Sequence, residues 1–125
     1  MRMTAGKYRH YKGNDYEAFC LAKDANNPAE EPFVLYRKLY GDHGFWIRPE
    51  TMFFEDVDVD GGFTPRFALT GEPEKCRDKI TELKAIAEES GGRVRMRHSE
   101  TMAEYAIVSF ESDKDEMVLI ERTDA

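Results

Sequence analysis

The chain has 125 residues, 41% hydrophobic and 12% aromatic, with a formal net charge of −7. This length suits one ordinary domain or a small module with an extension, and the apolar share supports a core, which excludes global disorder. The acidic balance argues against a general polyanion binder, because phosphate affinity comes from Lys and Arg, and no apolar run approaches the roughly 18–20 residues of a membrane span.

Both charge and aromatics are divided unevenly. Residues 1–50 hold 8 Lys/Arg against 7 Asp/Glu, and residues 51–125 hold 10 against 18. Eleven of the 15 aromatic residues fall in residues 1–54. The change of composition places a boundary near residues 68–73, where ALTGEP supplies Gly and Pro. The N-terminal MRMTAGKYRHYKG lacks the apolar stretch of a signal peptide, so the protein is expected to be cytoplasmic. Cys20 and Cys76 are far apart and without metal spacing, and read as reduced structural thiols.

In chain order, GKYRHYKGN (6–14) reads as the first strand of a small barrel and its turn. Tyr16–Ala22 and Phe33–Tyr40 are strands by aromatic and β-branched content, joined by the polar loop KDANNPAEEP. YGDHG is a second turn, Phe45–Arg48 a third strand, and Pro49 ends free ladder pairing. Asp60-Gly61 signals a hairpin between Phe54–Val59 and Phe63–Leu69, because Gly tolerates positive φ.

Beyond residue 70 the period changes. Pro73 opens a helix and Gly91-Gly92 closes it, with Cys76, Ile80, Leu83 and Ala87 as one apolar stripe. Arg93–His98 alternates, with Val94, Met96 and His98 on one face and Arg93, Arg95 and Arg97 on the other. Tyr105–Phe110 is a second strand. Met117–Glu121 is a third strand or a short helix, and periodicity does not decide between them.

Three ordered blocks carry a family resemblance: GKYRHYKGNDY (6–16), LYGDHGFWIRPETMF (39–53) and VDGGFTPRF (59–67). On these the first half resembles the uncharacterised bacterial family known as domain of unknown function 1653. The resemblance implies a compact, mostly β module with no assigned reaction. Family members tend to carry an HSETxE-like stretch after the first long strand; here that place reads KDANNPAEE (23–31), and HSETMAE stands instead at 98–104. The stretch 91–110 thus reads either as a decayed copy of the hairpin 13–40 or as an accidental match.

Chemical motifs are sparse. DVDVDGG (56–62) echoes the start of an EF-hand loop, but its twelfth position is Phe67 and no helix precedes it, so it reads as a strand entering a turn. His10, His43 and His98 lack zinc spacing. Ser99 lies between His98 and Glu100, yet neighbours on a strand face opposite ways, so adjacency is no triad. No cofactor or metal site is expected, and the chain is read as more consistent with a non-enzyme.

The constellation with most chemical content is Arg9, His10, Tyr36, Trp46 and Arg48. Guanidinium groups grip carboxylates or phosphates, and Tyr or Trp faces stack on planar groups. The pleat puts Trp46 and Arg48 on one face with Phe45 and Ile47 on the other. It likewise separates Tyr8, His10 and Lys12 from Arg9 and Tyr11. Packing of aromatic rims under Arg stems is the competing reading. Arg93, Arg95 and Arg97 form a secondary anion-binding candidate that can instead pair internally with Glu104 or Glu111.

The expected fold is α+β: a small antiparallel β-barrel of SH3-like size (about 1–68) with a C-terminal helix-plus-strands extension (about 69–125), packing as one unit. The expected function is a non-catalytic binding module for a small anionic or planar, nucleotide-like ligand or a peptide. The alternatives are a single-stranded RNA binder, which the net charge disfavours, an enzyme with an unrecognised site, or a protein–protein adaptor, of which a homodimer is one form.

Overall fold

The computed structural model describes residues 3–110 and 117–124. Its organising element is β2 (Asp15–Asp24), the longest strand at ten residues. It is followed by β3 (Phe33–Lys38) and β4 (Phe45–Pro49), which make an antiparallel meander with it. A second meander comes from β8 (Arg95–His98), β9 (Glu104–Ser109) and β10 (Met117–Arg122). Two parallel seams, β4 with β8 and β10 with β2, close the six strands into a barrel.

The α+β barrel with a helix and extra strands is therefore the fold, and its staves come equally from both sides of residue 70. In each meander the third strand runs parallel to the first strand of the other. The β2–β3 and β8–β9 hairpins consequently hold equivalent places, and HSET (98–101) opens the loop equivalent to the one after β2. Met117–Arg122 is a strand because it supplies the closing stave.

The barrel interior is filled by Cys20, Phe33, Leu35, Ile47, Met96, Ile107, Val118 and Ile120, all buried. Phe33 makes edge contacts with His98 at 5.3 Å between ring centroids, and lies 6.2 Å from Tyr105. The helix α2 (Cys76–Ser90) packs against β2 and β10 through Cys76, Ile80 and Leu83. It begins three residues after Pro73, because Glu74 first bridges Ala5, its amide donating to the Ala5 carbonyl at 2.9 Å. Gly91, at φ 68, closes it in the left-handed conformation.

The remaining elements stand outside the barrel. The strand β1 (Gly6–His10), expected as a barrel stave, instead pairs with the first half of β2, and β7 (Phe67–Leu69) pairs with β1. Between them lie the short α1 (Glu50–Phe53) and the hairpin of β5 (Asp56–Val59) with β6 (Gly62–Pro65). Asp60 and Gly61 turn this hairpin with φ of 53 and 84, as a type I′ turn requires. The expected strand 63–69 is broken at Arg66, whose amide returns to the Glu55 carbonyl and whose carbonyl accepts from Tyr11.

These outer elements bury a second aromatic cluster against the barrel wall. Phe53 and Phe67 stack at 4.1 Å, and Tyr8, Tyr16, Tyr36 and Phe54 meet them edge-on or tilted. Burial pushes the Tyr8 phenol up to about 12, and its hydroxyl donates to the Thr4 carbonyl at 2.6 Å.

One ion-pair cluster ties α2 to β2. Lys79 is only 4% exposed at its side chain, and its Nζ reaches Glu17 at 2.7 Å, Glu82 at 2.9 Å and Glu74 at 3.4 Å. Burial disfavours the ammonium, but the Glu17 and Glu82 hydrogen bonds win and hold its pKa above the ordinary lysine value. Lys79 Nζ also lies 5.2 Å from the Phe19 ring centroid, and Glu17 is itself mostly covered, so losing the cation would strand its carboxylate. Lys79→Met is expected to cost about 3–5 kcal/mol in urea unfolding, as for a broken buried pair. Glu82→Gln, at the exposed partner, is expected to cost less than about 1 kcal/mol. Equal costs for the two variants would contradict this account.

Candidate functional site

On the barrel wall facing the outer aromatic cluster, β3 and β4 present alternate residues outward. Tyr36 pairs with Trp46 and Val34 with Arg48, while Leu35 and Ile47 point into the barrel. Ser99 follows from the seam: its amide donates to the Ile47 carbonyl at 2.9 Å, extending the β4–β8 pairing by one residue. His98 faces the interior, so Ser99 faces out beside Arg48, the alternation that rules out a His98–Ser99 dyad.

Tyr16, Tyr36, Lys38, Trp46, Arg48 and Ser99 line a cleft of about 180 Å³. The Arg48 guanidinium lies 5.5 Å from the Phe67 ring centroid and beside the Tyr36 hydroxyl. Lys38 Nζ stands 5.3 Å from the Trp46 ring and 5.5 Å from that of Tyr40. Tyr40 and Tyr16 share a hydroxyl–hydroxyl hydrogen bond of 2.8 Å at one rim. Among the described residues neither Arg48 nor Lys38 has a carboxylate partner. Among the described residues neither Arg48 Nε nor Ser99 Oγ, both buried, has a hydrogen-bond partner. A buried polar group left unpaired costs about 1–3 kcal/mol.

Of the residues singled out in the sequence, the structure brings Tyr36, Trp46 and Arg48 to this cleft and sets His10 close behind it. His10 packs on Phe67 at 4.9 Å and on Tyr16 at 6.3 Å, and its Nδ1 accepts the Lys12 amide at 3.2 Å. Arg9 is elsewhere: it points away from the cluster and pairs with Asp15 at 2.9 Å. Tyr16 and Lys38 were not among the expected site residues, and Ser99 was weighed only as a catalytic serine. The first two follow from the β2–β3 register, which sets Tyr16 opposite Lys38. Ser99 was within reach, since it belongs to the displaced HSET stretch.

The second candidate row is split. Arg95 pairs with Glu104 at 2.9 Å, Arg97 approaches the same carboxylate at 3.9 Å, and Arg93 precedes the strand and is exposed. Glu111, the other expected partner, lies outside the described residues. Neither cysteine is in a disulfide, and burial pushes the Cys20 thiol well above its ordinary pKa. Among the described residues no cluster of His, Cys, Asp or Glu is placed to hold a metal, and no helix is long and apolar enough to cross a membrane.

Fold and site together define a small closed β-barrel with an aromatic, cation-lined cleft on its outer wall. The family described as "Protein of unknown function (DUF1653)" matches residues 6–69, and the chain belongs to that family. A crystal structure of a DUF1653 protein from Bordetella bronchiseptica is 39% identical, with a TM-score of 0.48, covering 56% of this chain and 92% of that one. No curated protein matches the chain.

Both histidines near the cleft favour the neutral form. Burial lowers the His10 pKa, and Arg48, Arg66 and Lys12 lower it further. Burial likewise lowers that of His98, against Glu100 and Glu30, and its Nδ1 accepts the Glu100 amide at 3.0 Å. A histidine whose folded pKa lies below the unfolded value of about 6.5 binds its proton more weakly when folded. Stability is then complete above that value and falls as pH drops through it towards the folded pKa. The urea midpoint is accordingly expected to fall between pH 7.5 and pH 5, and His10→Gln to flatten part of that slope. An unchanged slope in the variant would count against the His10 environment described.

Proposed function

We propose that the protein is a cytoplasmic, bacterial binding module, without catalysis of its own, whose outer cleft takes a small anion carrying a planar group, as a nucleotide does. The observation that carries this reading is the pair of unpartnered polar atoms, Arg48 Nε and Ser99 Oγ, in a cleft walled by Trp46 and Tyr36. Arg48, Lys38 and Trp46 Nε1 are donors only, so the wall suits a ligand rich in acceptors and does not suit an amine. An anionic oxygen is the natural partner of a guanidinium edge beside a hydroxyl, and an indole face stacks on a planar ring. Two buried thiols outside any disulfide agree with a reducing compartment.

Trp46 is the only tryptophan in the chain and lines this cleft, so its emission reports on a ligand that reaches it. Titration with AMP is expected to quench it with a millimolar or tighter Kd. Arg48→Ala is expected to weaken binding about tenfold or more, the scale of a charged hydrogen bond. Arg9→Ala, remote from the cleft, is expected to leave it unchanged. Unaltered Trp46 emission with both AMP and inorganic phosphate at millimolar concentration would refute the proposal.

A further inference from the structure

A second cleft, of about 190 Å³, opens on the other flank of Trp46, and its walls include Arg95, Arg97, Glu104 and Asp42. The sheet register explains why the indole divides the two. Tyr36, Trp46, Arg97 and Glu104 form one row across β3, β4, β8 and β9. Lys38 and Arg48 line the cleft on one side of that row's indole, and Arg95 and Arg97 line the cleft on the other. Resting on the reading of the first cleft as a site for a planar anion, we infer that the ligand is a short single-stranded oligonucleotide. One base stacks on Trp46, and the phosphates before and after it occupy the two clefts.

The cations of the second cleft differ in availability. Arg95 is engaged by Glu104 at 2.9 Å, and the same carboxylate accepts from Thr123 at 2.8 Å. Asp42 Oδ1 is taken up by the Gly44 amide at 3.0 Å. Arg97 donates to the Met102 carbonyl at 3.2 Å, but its nearest carboxylate oxygen is 3.9 Å away and its side chain is 51% exposed. It is the guanidinium with an edge to offer. Two residues along a strand span about 6.8 Å and neighbouring strands lie about 4.8 Å apart, so Arg48 and Arg97 are anchored on the order of 8 Å apart with Trp46 at the corner.

A nucleoside monophosphate carries its anion on one side of the base and reaches one cleft. The backbone of an oligonucleotide passes the base with a phosphate on each side and reaches both. Stacking on an indole tolerates any base, so the preference is for backbone and ring rather than sequence. The overall charge of −7 withholds long-range attraction and keeps the site to short, weakly held segments.

The test titrates the full chain with AMP, ADP and the 5′-phosphorylated dinucleotide pApA, following Trp46 emission. pApA is expected to bind about tenfold more tightly than AMP, the scale of one added charge-assisted hydrogen bond. Arg97→Ala, at an exposed position, is expected to abolish that gain while leaving the AMP affinity within about twofold. Arg48→Ala is expected to weaken both ligands. Four results would overturn the inference: pApA no tighter than AMP, a gain that survives in Arg97→Ala, an equal gain for ADP, whose second phosphate lies on the same side of the base, or equal binding of a Glu-Tyr-Glu peptide. Binding of AMP without the pApA gain removes only this inference. Silence of AMP and pApA alike removes the underlying reading of the cleft as well.

Discussion

A single extra residue in β2 holds the architecture together. The pairing of β2 with β3 slips between Ala18 and Cys20, leaving Phe19 as a bulge. Because side chains alternate with a period of two, one inserted residue reverses the facing of everything beyond it. Tyr16 and Ala18 therefore face outward under the second aromatic cluster, whereas Cys20 and Ala22 face into the barrel, although all four positions are even-numbered. The same bend divides one edge of β2 between two partners. Residues 15–18 pair with β1 and residues 21–24 with β10, so one strand carries both the outer layer and the closing seam.

The two parallel seams then decide where a ligand-sized cleft can form. Antiparallel hairpins bring sequence neighbours together, but the β4–β8 seam joins residues some fifty positions apart. It is this seam that places Ser99 beside Arg48 and Arg97 beside Trp46. The segment matched to the DUF1653 family ends at residue 69 and contains only three of the six staves. Its Trp46 and Arg48 belong to a wall completed by residues from outside that segment. The HSET stretch of the second meander supplies both sides of that wall. His98 fixes the β8–β9 turn from within by accepting backbone amides, and Ser99 stands in the cleft.

What could be read in the sequence was whatever depended on local period. The alternation of Phe45–Arg48 placed Ile47 inside and Trp46 with Arg48 outside. The stripe on Cys76, Ile80 and Leu83 gave the buried face of α2, and Asp60-Gly61 gave its hairpin. What could not be read depended on long-range choice. Nothing local marks Phe19 as a bulge, since YEAFCLA alternates acceptably in either register. Arg9 belongs to the same motif as His10, yet the pleat sends it outward to Asp15, so closeness in sequence overstated closeness in space. The strand β1 looked like a barrel stave because its aromatic content is real, but that content serves the outer cluster around Phe53 and Phe67.

The acidic total conceals a cationic face. Screening at physiological salt acts over about 8 Å, so carboxylates on remote elements contribute little at Trp46. Many acids of the second half are held away from it. Glu74 and Glu82 surround Lys79, and Asp56, Asp58 and Asp60 lie along the β5–β6 hairpin. Around Trp46 four cations, Lys38, Arg48, Arg95 and Arg97, meet two carboxylates: Glu104, paired with Arg95, and Asp42, whose Oδ1 accepts the Gly44 amide. A net charge therefore speaks to how a partner approaches from a distance, where this chain repels polyanions. It does not speak to what a planar anion meets once it has arrived at that indole, where Arg48 Nε, the Ser99 hydroxyl and the exposed Arg97 can donate.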